Sequence, residues 1–308
     1  MRKSARKVFY QKYLKKINNY EGAKMLTINN AKIKDIIYIK RIINNVSQNA
    51  NFHSEFNSSI IKHVLKKTCF LVYENYILQC ILFFHNDYEV FVIPTNKTFS
   101  FFKLLYILKN DFKNNEYKLK IKYKKLNISM YKKYYNIKIK ENYLYMYLDI
   151  LSKNTEIDYN NSNDLFVRKM KIGHEENIRV MLQNDIFSKV KDRIELTLNE
   201  VIYEENSSKF LKNLCFFIEY KGSPIGYGQI IKTQNSYYLV NFGIVQEFQG
   251  RGFGYYFLNE IIKSCKANGI EKLYLTVDSN NKKAINLYKK YGFEFLYGSA
   301  SIILKNNN

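Results

Sequence analysis

Gln249-Gly250-Arg251-Gly252-Phe253-Gly254, followed by Asn281-x-x-Ala284-x-x-Leu287-Tyr288-x-x-x-Gly292-Phe293, is the stretch whose reading decides the fold of this chain. The first string sets three glycines between a strand-like segment ending at Val245 and a helical pattern from about residue 252 to 268. Glycine lets the backbone turn sharply and approach a ligand closely. A helix start adds unpaired N–H groups and the positive end of the macrodipole, so the turn suits a phosphate. The second string sets Asn281 where a helix needs a cap, Tyr288 inside that helix, and Gly292 at its stop. Alone, the first string also fits a merely flexible turn. It reads Q-x-x-G-x-G, which is not the dinucleotide pattern G-x-G-x-x-G.

Outward from these strings, periodicity predicts a strand near residues 164–170 and helical patterns through Glu205. Strands follow at 215–220, 226–233 and 237–245. After the glycine turn come a helix, a strand at 272–277, a helix at about 282–291, and strands near 294–297 and 299–304. A meander that gives way to alternating helices and strands is an α/β (α+β) arrangement, a mixed central sheet flanked by helices.

The two strings in this order resemble the acyl-CoA-binding core of the GCN5-related N-acetyltransferase (GNAT) superfamily. That resemblance implies a direct acetyl transfer from acetyl-CoA to an amine. It assigns the pyrophosphate to Gln249, Gly250, Arg251, Gly252, Phe253 and Gly254, and the pantetheine arm to backbone groups of Ile244 and Val245. Asn281 is either a cap alone or also faces the cofactor. Tyr288 matches the family's general acid: a phenol, with a reference pKa of about 10, suits a departing thiolate. The family's general-base positions fall at Thr276 and near Tyr238, and neither is acidic. Glu247 and Asp278 stand at the strand ends nearby and read as solvated turn carboxylates.

Composition limits the partners. Of 308 residues, 46% are hydrophobic and 25% charged, a globular balance. The net charge of +22 attracts polyanions, but only seven of 49 basic residues are Arg, the residue favoured for base-edge and bidentate phosphate contacts. Lys, Asn, Ile and Tyr are abundant throughout, as A/T-rich codons produce. Nucleic acid is therefore not the expected partner; the resemblance implies a small-molecule or peptide amine instead. No apolar run reaches the roughly 18 to 20 residues of a membrane span, and no secretory signal is legible at the start. Cys69, Cys80, Cys215 and Cys265 have no metal-like spacing, so the expectation is reduced core thiols, no metal and a cytoplasmic protein.

The chain also echoes itself. Ile128-Ser129-Met130-Tyr131-Lys132-Lys133-Tyr134 parallels Ile285-Asn286-Leu287-Tyr288-Lys289-Lys290-Tyr291, and 69–74 parallels 215–220. The expected organisation is a basic helical leader at 1–21, a degenerate copy at 22–150, a polar linker at 151–162, and the complete copy at 163–305. Where the first copy needs its glycine turn it reads Phe91 to Phe102 with no glycine, so it is expected to bind no CoA and Tyr131 to be structural. Two other readings remain at this point: a non-catalytic acyl-CoA sensor or scaffold, and a tandem aminoacyl transferase fed by charged tRNA. Oligomeric state and acceptor identity have no signal.

Overall fold

The computed structural model describes residues 26–86, 88–112, 114–152, 164–190 and 192–305. The leader at 1–21 and nearly all of the linker lie outside these residues. The chain forms two compact units: residues up to 142 together with those from 298 onward, and Tyr143–Tyr297.

Unit 2 is built from β8 (Leu165–Lys169), α4 (Glu176–Ile186), α5 (Leu198–Glu205), β9 (Phe210–Tyr220), β10 (Ser223–Thr233), β11 (Ser236–Ile244), α6 (Phe253–Ala267), β12 (Lys272–Asp278) and α7 (Lys282–Tyr291). Its sheet runs β8-β9-β10-β11-β12, antiparallel except for the parallel β11–β12 pair. The free edge of β12 is taken by the second half of β7 (Asn136–Asp149), antiparallel, with Leu148 opposite Leu273 and Tyr145 opposite Thr276. Buried Leu273, Leu275 and Val277 alternate with more exposed neighbours along β12, and the core is closed by Phe257, Ile261, Ile262 and Ile285 from α6 and α7. Burying such side chains, at about 25 cal/mol per Å² of apolar surface, is what holds helix to sheet. On α4, Arg179 is fully buried and pairs with Glu204 and Glu205 of α5.

Unit 1 repeats this order with β1 (Leu26–Asn30), α1 (Ile36–Asn49), β2 (Phe52–His53), α2 (Ile60–Leu65), β3 (Cys69–Glu74), β4 (Ile77–Phe84), β5 (Glu89–Pro94), α3 (Phe101–Asn110) and β6 (Glu116–Tyr123). The sheet runs β1-β3-β4-β5-β6, again antiparallel except at β5–β6. Its last place, beside β6, is filled by residues 298–305 of β13 (Glu294–Lys305), antiparallel, with Ala300 opposite Ile121.

These units divide elsewhere than the halves read from the sequence. The end of the last strand of each sequence half, 143–149 and 298–305, lies in the unit built by the other half, so the boundaries fall at 142/143 and 297/298 rather than in the polar linker. Alternation along a strand states which face is buried, not which neighbour it pairs with. A second difference lies at Tyr131. The Tyr-Lys-Lys echo of α7 forms only a 3-10 turn, Ile128–Lys133, without the ten-residue α-helix seen after Asn281.

Candidate functional site

In unit 2, β11 and β12 pair only at Tyr237↔Leu273, Tyr238↔Tyr274 and Leu239↔Leu275. Both strands continue, to Ile244 and Asp278, so they part after those rungs and leave a splay. The cause is local. Between Val240 and Gly243, β11 carries one residue more than β10 does between Gln229 and Tyr227, and Asn241 takes a left-handed φ of 52°. Such a bulge bends its strand, and Asn is among the few non-glycine residues that tolerate αL.

The backbone at the splay is partly committed. Val245 donates its N–H to the Ile225 carbonyl at 2.9 Å, inside the sheet. Strand alternation then turns the polar groups of Ile244 toward the splay, where its carbonyl accepts from Gln249 Nε2 at 2.8 Å. Of the two residues expected to serve a pantetheine arm, Ile244 faces the opening, while the Val245 N–H is already used.

The glycine turn follows a 3-10 turn at Gln246–Phe248. Gly250 and Gly252 have φ of 81° and 85°, and Gly252 is the N-cap of α6. A Cβ at Gly250 would meet nothing within 4 Å, and one at Gly254 would lie 3.6 Å from Leu287 Cδ2, an ordinary contact. The conformation, rather than crowding within the protein, calls for glycine at 250, and the same left-handed φ calls for it at 252. Among the described residues, the N–H groups of Phe253 and Gly254 in the first turn of α6 meet no carbonyl. They present the free donors that a phosphate needs. Arg251 folds back, its Nη2 donating to the Glu247 carbonyl at 3.3 Å and its guanidinium lying 5.2 Å from the Phe248 ring centroid. The Phe253 ring packs 5.4 Å from Tyr220.

Asn281 caps α7, its Oδ1 accepting from the Ala284 N–H at 3.1 Å. Tyr288, 7% exposed, lies 6.2 Å from Phe242 in the bulged stretch and 5.6 Å from Phe293, ring to ring. Its hydroxyl has no hydrogen-bonding protein partner among the described residues. Burial raises its pKa well above that of an ordinary phenol, so it keeps its proton. Beside the splay stands a protonated, otherwise unengaged phenol, a hydrogen-bond donor that burial makes a weaker acid than the reference phenol. Thr276, Glu247 and Asp278 are exposed and Tyr238 is half-buried. Asp278 Oδ1 accepts from the Asn280 N–H at 2.7 Å, a turn contact.

One carboxylate escaped the sequence reading. Glu294 Oε2 accepts from the Tyr147 hydroxyl at 2.9 Å, across 147 positions of sequence. The Glu294-Phe295 string carries no motif, and the pairing arises only because residues 143–149 complete the sheet of unit 2.

The corresponding place in unit 1 is closed. β5 and β6 also part, pairing only at Glu89↔Lys118 and Val90↔Leu119. Between them lies the chain's own segment 51–54. Phe52 and His53 pair with Tyr123 and Lys122, the Asn51 carbonyl accepts from Lys124 N–H at 2.9 Å, and Ser54 bonds to Val92 of β5. Phe52, 2% exposed, stands 5.3 Å from Phe101, which in turn lies 5.2 Å from Tyr131. The turn before α3 is satisfied internally: Asn96 Oδ1 accepts from Thr98 and Phe99 N–H at 2.9 and 3.0 Å, and Ser100 Oγ from Lys103 N–H at 3.2 Å.

The four cysteines are buried, and burial pushes the Cys69, Cys215 and Cys265 thiols up to about 12, which removes them as nucleophiles. Among the described residues no group of three or more His, Cys, Asp or Glu gathers, and no helix is long and apolar enough to cross a membrane.

Residues 183–293 match the family model described as Acetyltransferase (GNAT) family. Over 66 residues the chain is 30% identical to N-alpha-acetyltransferase 50 of Danio rerio, 21% of this chain and 39% of that protein. The chain thus spans well under half the length of that curated relative. A GCN5-related N-acetyltransferase from Sphaerobacter thermophilus shares the fold over 91% of this chain and 95% of its own, with TM-score 0.54 and 12% identity. A GNAT-family acetyltransferase from Colwellia psychrerythraea aligns over 92% and 100%, with TM-score 0.44 and 14% identity. The match to the GNAT family thus lies in residues 183–293, within unit 2.

Proposed function

We propose that this protein is an acetyl-CoA-dependent N-acetyltransferase with one working site, in unit 2. The observation that carries the reading is the splay between β11 and β12, flanked by free amides at the start of α6 and by the buried phenol of Tyr288. The turn Gln249 to Gly254 takes the pyrophosphate on the Phe253 and Gly254 N–H groups, with Arg251 able to swing outward from the turn. The pantetheine amides pair with the exposed edge at Ile244, as an added strand would. Asn281 fixes the start of α7 and thereby the position of Tyr288.

In the transfer, the amine nitrogen bonds to the acetyl carbonyl carbon, the carbon–sulfur bond breaks, and the sulfur leaves with the electron pair. Tyr288 gives that sulfur its proton and regains one from solvent, and the nitrogen, which attacks as the neutral amine, loses one to solvent. No covalent enzyme intermediate is called for. Unit 1 is a degenerate copy whose slot is filled by residues 51–54. Thiol release from acetyl-CoA, followed with a panel of primary amines, tests the reading. Amine-dependent release that Tyr288→Phe abolishes supports it; acetyl-CoA binding with no release for any amine contradicts it.

A further inference from the structure

The face of the unit 2 sheet away from Tyr288 is lined with tyrosines. Leu239 and Leu275, the last rung before the splay, are buried, whereas the preceding rung places Tyr238 beside Tyr274, with ring centroids 5.6 Å apart. Tyr274 is also opposite Tyr147, at 6.4 Å. The two-residue period of β7 adds Tyr145, stacked on Tyr297 at 4.3 Å, to the same face. All five rings are half-buried. At the start of β13, Phe293 packs on Tyr288 while its neighbour Glu294 is bonded by Tyr147. The candidate proton donor and this carboxylate therefore flank the sheet from opposite sides.

Charge on this face opposes that of the chain. Within unit 2, Lys272 sits opposite Asp149, and the further charged groups on residues 143–149, 272–278 and 294–297 are Asp278 and Glu294, in a protein of net charge +22. Among the described residues no basic side chain pairs with Glu294. The hydrogen bond to Glu294 raises the Tyr147 pKa, so the phenol stays protonated and keeps aiming the carboxylate. A carboxylate among aromatic rings favours an organic cation, through charge-assisted hydrogen bonding and cation–π attraction. Long-range repulsion from the rest of the chain disfavours a polycation.

We infer that this tyrosine face receives the acceptor, a primary amine bearing a single positive charge on an apolar or aromatic body, with Glu294 as its counter-ion and Tyr147 as the residue that positions Glu294. The inference rests on the acetyl-CoA reading for its meaning, but its test does not.

The full chain is titrated with phenethylamine, and with the neutral analogue 2-phenylethanol, both with and without saturating CoA. The expected result is that the amine binds and the alcohol binds about tenfold more weakly or less, the factor of one charge-assisted hydrogen bond. Glu294→Gln is expected to lose about the same factor for the amine and to leave CoA affinity unchanged, which also shows that the variant is folded. Tyr147→Phe loses less. Absence of amine binding with and without CoA, or equal amine binding by wild type and Glu294→Gln, overturns the inference. Amine binding that depends on Glu294 in a chain that fails to bind CoA preserves this site and removes the acetyl-CoA reading instead.

Discussion

Ser54 and Val92 bond to each other twice: the Ser54 N–H donates to the Val92 carbonyl at 2.8 Å, and the Val92 N–H donates to Ser54 Oγ at 3.1 Å. The pair seals residues 51–54 against β5 where β5 has left β6. In unit 2 the equivalent edge, at Ile244, is open. The same strand order thus gives one closed slot and one open slot.

Phe52 is the plug's buried anchor. Phe52→Ala is expected to cost about 3–5 kcal/mol of unit 1 stability, as for other buried aromatics, measured by denaturant unfolding. A loss below 1 kcal/mol would show that segment to be peripheral.

Tyr288→Phe keeps the ring contacts with Phe242 and Phe293 and removes only the proton. Turnover should fall by about 10²–10⁴, the range for a general acid, with acetyl-CoA affinity retained. Because burial raises the Tyr288 pKa, the donor stays protonated through neutral and mildly alkaline pH. Turnover should therefore show no falling limb below about pH 10, the ordinary phenol value. A limb near pH 8 would assign the acid elsewhere.

Gly252→Val forces a β-branched residue to φ near 85° at the N-cap of α6. The strain is about 1–3 kcal/mol, and the new side chain stands beside the free amides. Loss of acetyl-CoA binding in a folded variant, checked by calorimetry alongside circular dichroism, is the expected result. Unchanged affinity would move the phosphate site away from this turn.

Arg168 holds Glu175 through two bonds, at 2.8 and 2.9 Å, and Glu219 at 2.6 Å. The Arg168 contact is the main cause that lowers the Glu175 pKa. A carboxylate with a depressed folded pKa stabilises above its unfolded value, about 4.3, and that stability is lost as pH falls through the folded value. Glu175→Gln should cost about 1.5–3 kcal/mol at pH 7 and flatten the acid limb of the stability profile. An acid limb identical to wild type would exclude Glu175 as its source.

Much of this was legible in the sequence because it is local. Helix α7 announces itself by Asn281 as cap and Gly292 as stop, and α6 by the glycines before it. The strands of unit 2 follow from alternation and turn residues. What escaped depends on partners far away in sequence. The bulge at Asn241 has no more than an Asn to mark it, and Phe52-His53 is too short to show a period. The exchange of residues 143–149 and 298–305 between the units leaves both sequence patterns unchanged. Glu294 found its role only through Tyr147, which that exchange brings to it. Of Ile244 and Val245, which N–H is spent inside the sheet, that of Val245, depends on register with Ile225, and no local pattern states it.

The most direct test of the central claim is a calorimetric titration of acetyl-CoA into the full chain. One equivalent per chain, lost in Gly252→Val and retained in Tyr288→Phe, is the predicted result. No binding, or two equivalents, would contradict it.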